Sequence, residues 1–438
     1  MKKAFCYVFL LVLLLMSAAS SFVSAQEAPP SQDTVSGQSK EVTSYTLPPE
    51  KYRQAIEYSR AKYRLYFISI AYGLVILLLA TGLRWAPCFR DVAEKVSARR
   101  FVQALVFVPL LFLTLSVLEL PTDIYGHSLS LKYNQSVQGW GSWLWDWTKG
   151  RFIALIIMTL VSWILYGVIR RSPQRWWFYF WLASIPIIVF LLFITPVVIE
   201  PLFFKFVPLN QTNPALVTEI EKVVHRGGLE IPRERMFEMN ASEKLKSVNA
   251  YVTGFSASKR VVVWDNTISR MTTPQILFVF GHEMGHYVLN HIPRTIAFIS
   301  IILLAFLYFG YHGMRWVIEC LGSRLSIRSL EDWASLPVLL FLISVFSFLA
   351  SPIFSTYSRY QEHDADIYGL EVIHGIVSDS PQAAAQAFQV LGEINLSDPK
   401  PGTFIKIWLY GHPPLDERVR FAHDYDPWTK GASPKFVK

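Results

Sequence analysis

His282, Glu283 and His286 stand in the run Gly281-His282-Glu283-Met284-Gly285-His286, a His-Glu-x-x-His pattern. On an α-helix the two imidazoles lie about 40° apart around the axis, so both can reach one metal ion while Glu283 stands beside it as a base. The flanks are apolar, Ile276 to Phe280 before and Tyr287 to Leu289 after. Polar groups in such surroundings are costly to bury unless something satisfies them, and a metal ion with its water would do so. The competing reading is a polar stripe that faces solvent or a membrane surface.

A catalytic zinc needs a third protein ligand and one open coordination position. The segment Ser358-Arg359-Tyr360-Gln361-Glu362-His363-Asp364-Ala365-Asp366 offers candidates. Glu362 and Asp366 are four apart and share a helix face, so Glu362 could bind metal while Asp366 holds a ligand imidazole by its second nitrogen. Spacing leaves His363 and Asp364 as alternative ligands, and an acidic turn at a membrane surface would need no metal at all.

Helices must carry both segments. Thr273 can cap a helix that Pro274 opens, which places the His-Glu-x-x-His motif in mid-helix. A helical pattern near 358–375 carries Glu362, and an Ala-rich helix follows near 383–394. Before the motif, Leu216 to Val224 has helical spacing and stops at Gly227-Gly228, while Ala250 to Phe255 and Arg260 to Trp264 read as two strands joined by a Ser-rich turn.

The 438 residues are 52% hydrophobic and only 17% charged, against about 25% charged in ordinary soluble domains. Membrane spans account for this. Six stretches, about 65–83, 101–120, 152–169, 177–198, 295–314 and 336–355, are long and apolar enough to cross a bilayer. None carries Lys, Arg or Asp in its middle, which argues against a transporter. Trp140, Trp143, Trp145 and Trp147 suit an aromatic belt at the interface. The net charge of +8 is spread along the chain, so no nucleic-acid partner is expected. Cys6, Cys88 and Cys320 are too scattered for disulfides or a thiolate site.

The resulting division is a signal peptide or uncleaved first membrane helix over 1–25, a linker and amphipathic lead-in over 26–64, and four membrane helices over 65–198. The first part of a polar α+β domain, carrying the His-Glu-x-x-His helix, follows over 199–294, then a two-helix membrane hairpin over 295–355, then a second part with the Glu362 segment over 356–438.

His282-Glu283-Met284-Gly285-His286 together with Ser358-Arg359-Tyr360-Gln361-Glu362-His363-Asp364-Ala365-Asp366 resembles the paired signature, HExxH and SRxxExxAD, of the integral-membrane zinc CAAX prenyl proteases. Asn249-Ala250-Tyr251-Val252-Thr253-Gly254, Pro201 to Leu209 and His412-Pro413-Pro414-Leu415-Asp416-Glu417-Arg418 also resemble segments of that family, in consistent order over about 65–425. Phe204 stands where the family usually has Asn. The resemblance implies a mainly α, multi-span membrane protein: a ring of transmembrane helices around a chamber, with an inserted α+β zinc metalloprotease domain. It implies zinc on His282, His286 and Glu362, with Glu283 as catalytic base and Asp366 steadying a ligand imidazole. Arg418 would organise the carboxylates, His412 would donate to the carbonyl oxygen as it gains charge, and Asn249 and Ala250 would grip the peptide. For His412 a turn residue before two prolines is the plain alternative.

The expected activity is a zinc metalloendopeptidase of the cell membrane, embedded in the lipid bilayer and acting on peptide or protein substrates. Nothing in the sequence reads an isoprenoid, and a signal-like start suggests a bacterial envelope, so a wider substrate range is expected. The alternative is a zinc-stabilised membrane scaffold or holdase, whose mark would be a fourth protein ligand closing the site, with His363 the nearest candidate. Arginines and lysines after the first and third spans place the zinc site opposite the cytoplasm, whereas Arg60, Lys62, Arg64 and the resemblance place it on the cytoplasmic side; charge alone does not orient the chain.

Overall fold

The computed structural model describes residues 41–254 and 259–437. The signal-like segment 1–25 and the linker up to residue 40 lie outside them. In chain order come helices α1 (Pro49–Gly82), α2 (Trp85–Val96), α3 (Arg100–Lys132), α4 (Trp140–Arg171) and α5 (Trp176–Ile194). A polar insertion follows with β1 (Phe206–Pro208), α6 (Pro214–Arg226), β2 (Met236–Met239), β3 (Ala250–Thr253), β4 (Arg260–Trp264) and α7 (Thr273–Val288). The chain continues with α8 (His291–Leu325), α9 (Leu336–Ile373), α10 (Ser380–Ile394), α11 (Thr403–Leu409) and α12 (Leu415–Asp424). Among the described residues, six helices, α1, α3, α4, α5, α8 and α9, are long and apolar enough to cross a membrane.

Except for α5, whose α-helical turns stop at Ile194, these helices overshoot their apolar stretches, because helix propagation continues wherever the backbone can keep its hydrogen bonds. Helix α3 therefore runs on past Glu119, at the end of its apolar stretch, to take in Asp123, and α4 takes in Arg151, while the middles of the apolar stretches carry no Lys, Arg or Asp. The Arg151 side chain is 6% exposed and sits 3.0 Å from Asp123 and 3.7 Å from Glu119, and Trp147 Nε1 also donates to Asp123. Buried charges persist where they are paired in this way. The last span and the Glu362 segment likewise form one uninterrupted helix, α9, with Pro352 inside it. Residues 41–48 are docked rather than free: Val42 N donates to Gln382 Oε1 and Thr46 N to Gln389 Oε1, both on α10. Burial of Tyr45 against that helix supplies the reason.

The sheet has the order β1-β2-β4-β3, with β1/β2 and β3/β4 antiparallel and β2/β4 parallel. Strands β1 and β2 were not apparent from the sequence pattern. Alternation along the strands sends Ala250, Val252, Val261 and Val263 into a core shared with α6, α7 and α10, while Tyr251, Val262 and Trp264 fill the opposite face. Helix α7 starts one residue earlier than expected, with Thr272 as its cap; the Thr272 N–H donates to Gln275 Oε1 at 3.0 Å. His282 to His286 consequently lie in its second half.

Helices α7 and α9 cross where both carry glycine. A Cβ on Gly369 would lie 3.0 Å from His282 N and 3.2 Å from its Cα, and one on Gly281 would lie 2.8 Å from Val372 Cγ1. The Gly369 contact is with backbone, which cannot rotate away. Gly369→Val is therefore expected to destabilise the protein by about 1–3 kcal/mol through overpacking. Gly167→Ala, on α4 with open space around it, should be neutral or slightly stabilising. Thermal unfolding in detergent compares the two, and equal midpoints would refute the crossing constraint.

Candidate metal centre

Helix α7 presents His282 and His286 one turn apart, and α9 brings Glu362 against them. His282 Nε2 lies 3.2 Å from His286 Nε2 and 3.2 Å from Glu362 Oε2, and His286 Nε2 lies 3.5 Å from Glu362 Oε1. Among the described residues these three form a group whose ligand atoms all fall within 4.8 Å of one another. The set fits a divalent cation on its own chemistry. Buried Glu362 Oε2 makes no hydrogen bond of acceptable geometry despite its close neighbours, so lone pairs converge on a point where a positive charge would satisfy them.

The surroundings decide which lone pairs point inward. His282 Nδ1–H donates to Asp366 Oδ1 at 2.8 Å, which turns Nε2 toward its partners. Arg418 from α12 grips Asp366 with both arms, Nε to Oδ2 at 2.9 Å and Nη2 to Oδ1 at 2.6 Å. Burial would lower the His282 pKa, but the carboxylates of Asp366 and Glu362 outweigh it and lift it to about 10. That corner of the site strongly favours a cation. Burial, against the attraction of Glu362, lowers His286 to about 3, so its imidazole is a neutral donor. Burial pushes Glu283 up to about 7 against the pull of His282, near the value a general base needs at neutral pH.

A cavity of about 500 Å³ opens in front of His282 and Glu283. Asn249, Phe278, Val279, Phe388, His412 and Arg418 belong to its wall. His412 Nε2 lies 3.2 Å from Glu362 Oε2, which brings a residue some fifty positions downstream to the edge of the centre. Asn249 lines the cavity, whereas the Ala250 side chain is fully buried in the core beside it. His363 and Asp364 point elsewhere: the exposed His363 ring packs 4.6 Å from that of Phe421, and Asp364 pairs with Lys435 at 2.7 Å. Phe204 packs beside the outer face of the sheet with Lys244 5.1 Å above its ring, remote from this chemistry.

One residue escaped the sequence pattern. His291 Nδ1 lies 3.0 Å from His286 Nδ1. Five residues on, a continuous helix would aim it about 140° away from His286, but Asn290 adopts a left-handed conformation, φ 57°, and folds the chain back. The signal was the third histidine of His-Glu-x-x-His-x-x-x-x-His; its position in space was not readable.

Residues 210–426 match peptidase family M48, and residues 33–205 match the CAAX prenyl protease N-terminal region of five membrane helices. The chain is 35% identical over 403 residues to the uncharacterized metalloprotease YhfN of Bacillus subtilis, covering 92% of this chain and 91% of that protein. It is 27% identical to a CAAX prenyl protease 1 homolog of Arabidopsis thaliana, covering 87% and 89% of the two chains. The fold is similar to the crystal structure of S. mikatae Ste24p, with a TM-score of 0.73, 25% identity and coverage of 86% and 89%. The chain belongs to peptidase family M48 and is a multi-pass membrane metallopeptidase whose helices enclose a chamber.

Proposed function

We propose that this protein is a zinc metalloendopeptidase of the cell membrane, with His282, His286 and Glu362 as ligands and Glu283 as general base. The observation that carries the reading is the convergence of three ligand atoms within 4.8 Å, beside the Glu283 carboxyl group that lines the cavity. When bound there, zinc polarises the scissile carbonyl and lowers the pKa of a water toward about 7.

The residues then divide the work. Asp366, fixed by Arg418, keeps the His282 proton on Nδ1 and the ring in one orientation. Glu283 takes a proton from the attacking water and returns it to the leaving amine. His412, on the cavity side of Glu362, donates to the carbonyl oxygen as charge develops there.

Strand β3 is an edge strand and suits the addition of an extended peptide by main-chain pairing. Asn249 O already accepts from Trp264 N, so the alternation of an antiparallel ladder turns the Ala250 main chain outward. The Ala250 N–H is held by Asn249 Oδ1 at 2.9 Å. A pairing substrate would displace that side chain. Main-chain pairing sets no sequence requirement, which supports a peptide or protein substrate range wider than the prenylated tails that the names of the CAAX relatives imply. A zinc-stabilised scaffold would call for a fourth protein ligand, and the convergent group among the described residues has three.

The test is zinc content and peptide cleavage of Glu283→Gln beside the parent, in detergent, before and after chelator treatment and zinc return. Zinc should be retained while cleavage falls by about 10²–10⁴-fold, the usual share of a positioned base; cleavage at the parent rate would refute the base assignment. Glu362→Ala should instead lose zinc and activity together. Undiminished zinc in that variant would move the third ligand to another residue.

A further inference from the structure

His286 and His291 meet through their Nδ1 atoms at 3.0 Å, with ring centroids 5.0 Å apart and planes inclined at 72°. One proton serves that contact, and it sits on one ring or the other. His286 directs Nε2 toward His282 Nε2 and Glu362 Oε1, and an imidazole that ligates through Nε2 carries its proton on Nδ1. The donor is then His286 and the acceptor His291. The remaining His291 proton falls on Nε2, a buried atom without a hydrogen-bond partner.

We infer that His291 is a positioning residue that fixes the tautomer and ring angle of His286, the counterpart of Asp366 on His282; the inference rests on the three-ligand reading above. Three features support it. An unpartnered buried N–H carries a desolvation penalty, so packing alone gives no reason for an imidazole at a site that is 2% exposed. The left-handed Asn290 aims the ring back at the metal centre instead of letting α7 run on into α8. His291 is also tied to the residue that precedes the third ligand: Gln361 Nε2 donates to the His291 carbonyl at 3.3 Å, and Thr295 Oγ1 holds Gln361 Oε1 at 2.9 Å. The ring that orients one ligand is thereby registered against the helix carrying another.

The two supporting residues are not equivalent. Asp366 is an anion neutralised by Arg418, whereas His291 is a neutral acceptor that orients its partner without adding charge.

The test uses the full-length protein in detergent, with zinc affinity read by competition against a chromogenic chelator and the fold checked by thermal unfolding of the chelator-stripped form. His291→Phe keeps the ring volume and removes the acceptor; it should bind zinc about 10–100-fold more weakly, the usual effect of losing such a partner. His291→Asn offers Oδ1 as an acceptor and should stay within about threefold of the parent if the hydrogen bond is what counts. Parent-like affinity in the Phe variant overturns the inference. So does an Asn variant that melts like the parent yet binds zinc more than about tenfold more weakly than the parent, and this arm decides the matter if the Phe variant does not fold. Failure of the underlying reading looks different: the parent itself would bind no zinc, or Glu362→Ala would bind it as the parent does.

Discussion

Everything at the candidate metal centre depends on how closely α7 and α9 approach. His282, Glu283 and His286 belong to one helix, and Glu362 and Asp366 to the other. Gly369 lets the backbone of α9 pass beside the His282 main chain, and Gly281 accepts Val372 in return. Beside this contact the ligand atoms of His282, His286 and Glu362 come within 4.8 Å of one another. Ligand geometry tolerates little slack, since displacements of about 1 Å are felt in affinity and rate.

Charge is distributed around that contact so that each buried group has an answer. Asp366 is held by His282 on one side and Arg418 on the other, and the Arg418 guanidinium lies 4.2 Å over the Phe388 ring of α10. Arg418 is thus part of the candidate centre, although it follows Asp366 by 52 positions. Farther along α9, the Glu371 carboxylate accepts from the backbone N–H groups of Lys435, Phe436 and Val437, which ties the end of the chain to the helix that carries Glu362.

The membrane part performs a different task. Its helices form walls, and their outward surfaces remain apolar, with Ile68, Val117, Phe152 and Ile301 each more than half exposed. The exception is the cluster of Arg151, Glu119 and Asp123 between α3 and α4, where ion pairing replaces hydration. Such a cluster pins two wall helices in register and leaves their lipid-facing sides free of charge.

Much of this was legible in the chain because the chemistry is local. His282, Glu283 and His286 lie within five residues, as do Glu362 and Asp366, so helical periodicity alone places each set on one face. The long apolar runs announced the six membrane helices. The lengths of those helices were not legible, since hydrophobicity reports where lipid begins and not where backbone hydrogen bonds end; Asp123 and Arg151 fell inside for that reason. Strands β1 and β2 are three and four residues long, too short for alternation to register. His291 was hidden by a single left-handed residue. What the sequence determined by itself is which side chains can serve as donors and which faces they share. Their meeting across 84 positions, from His282 to Asp366, was decided by tertiary structure alone, because it rests on a glycine-lined helix crossing whose two halves have no periodic relation along the chain.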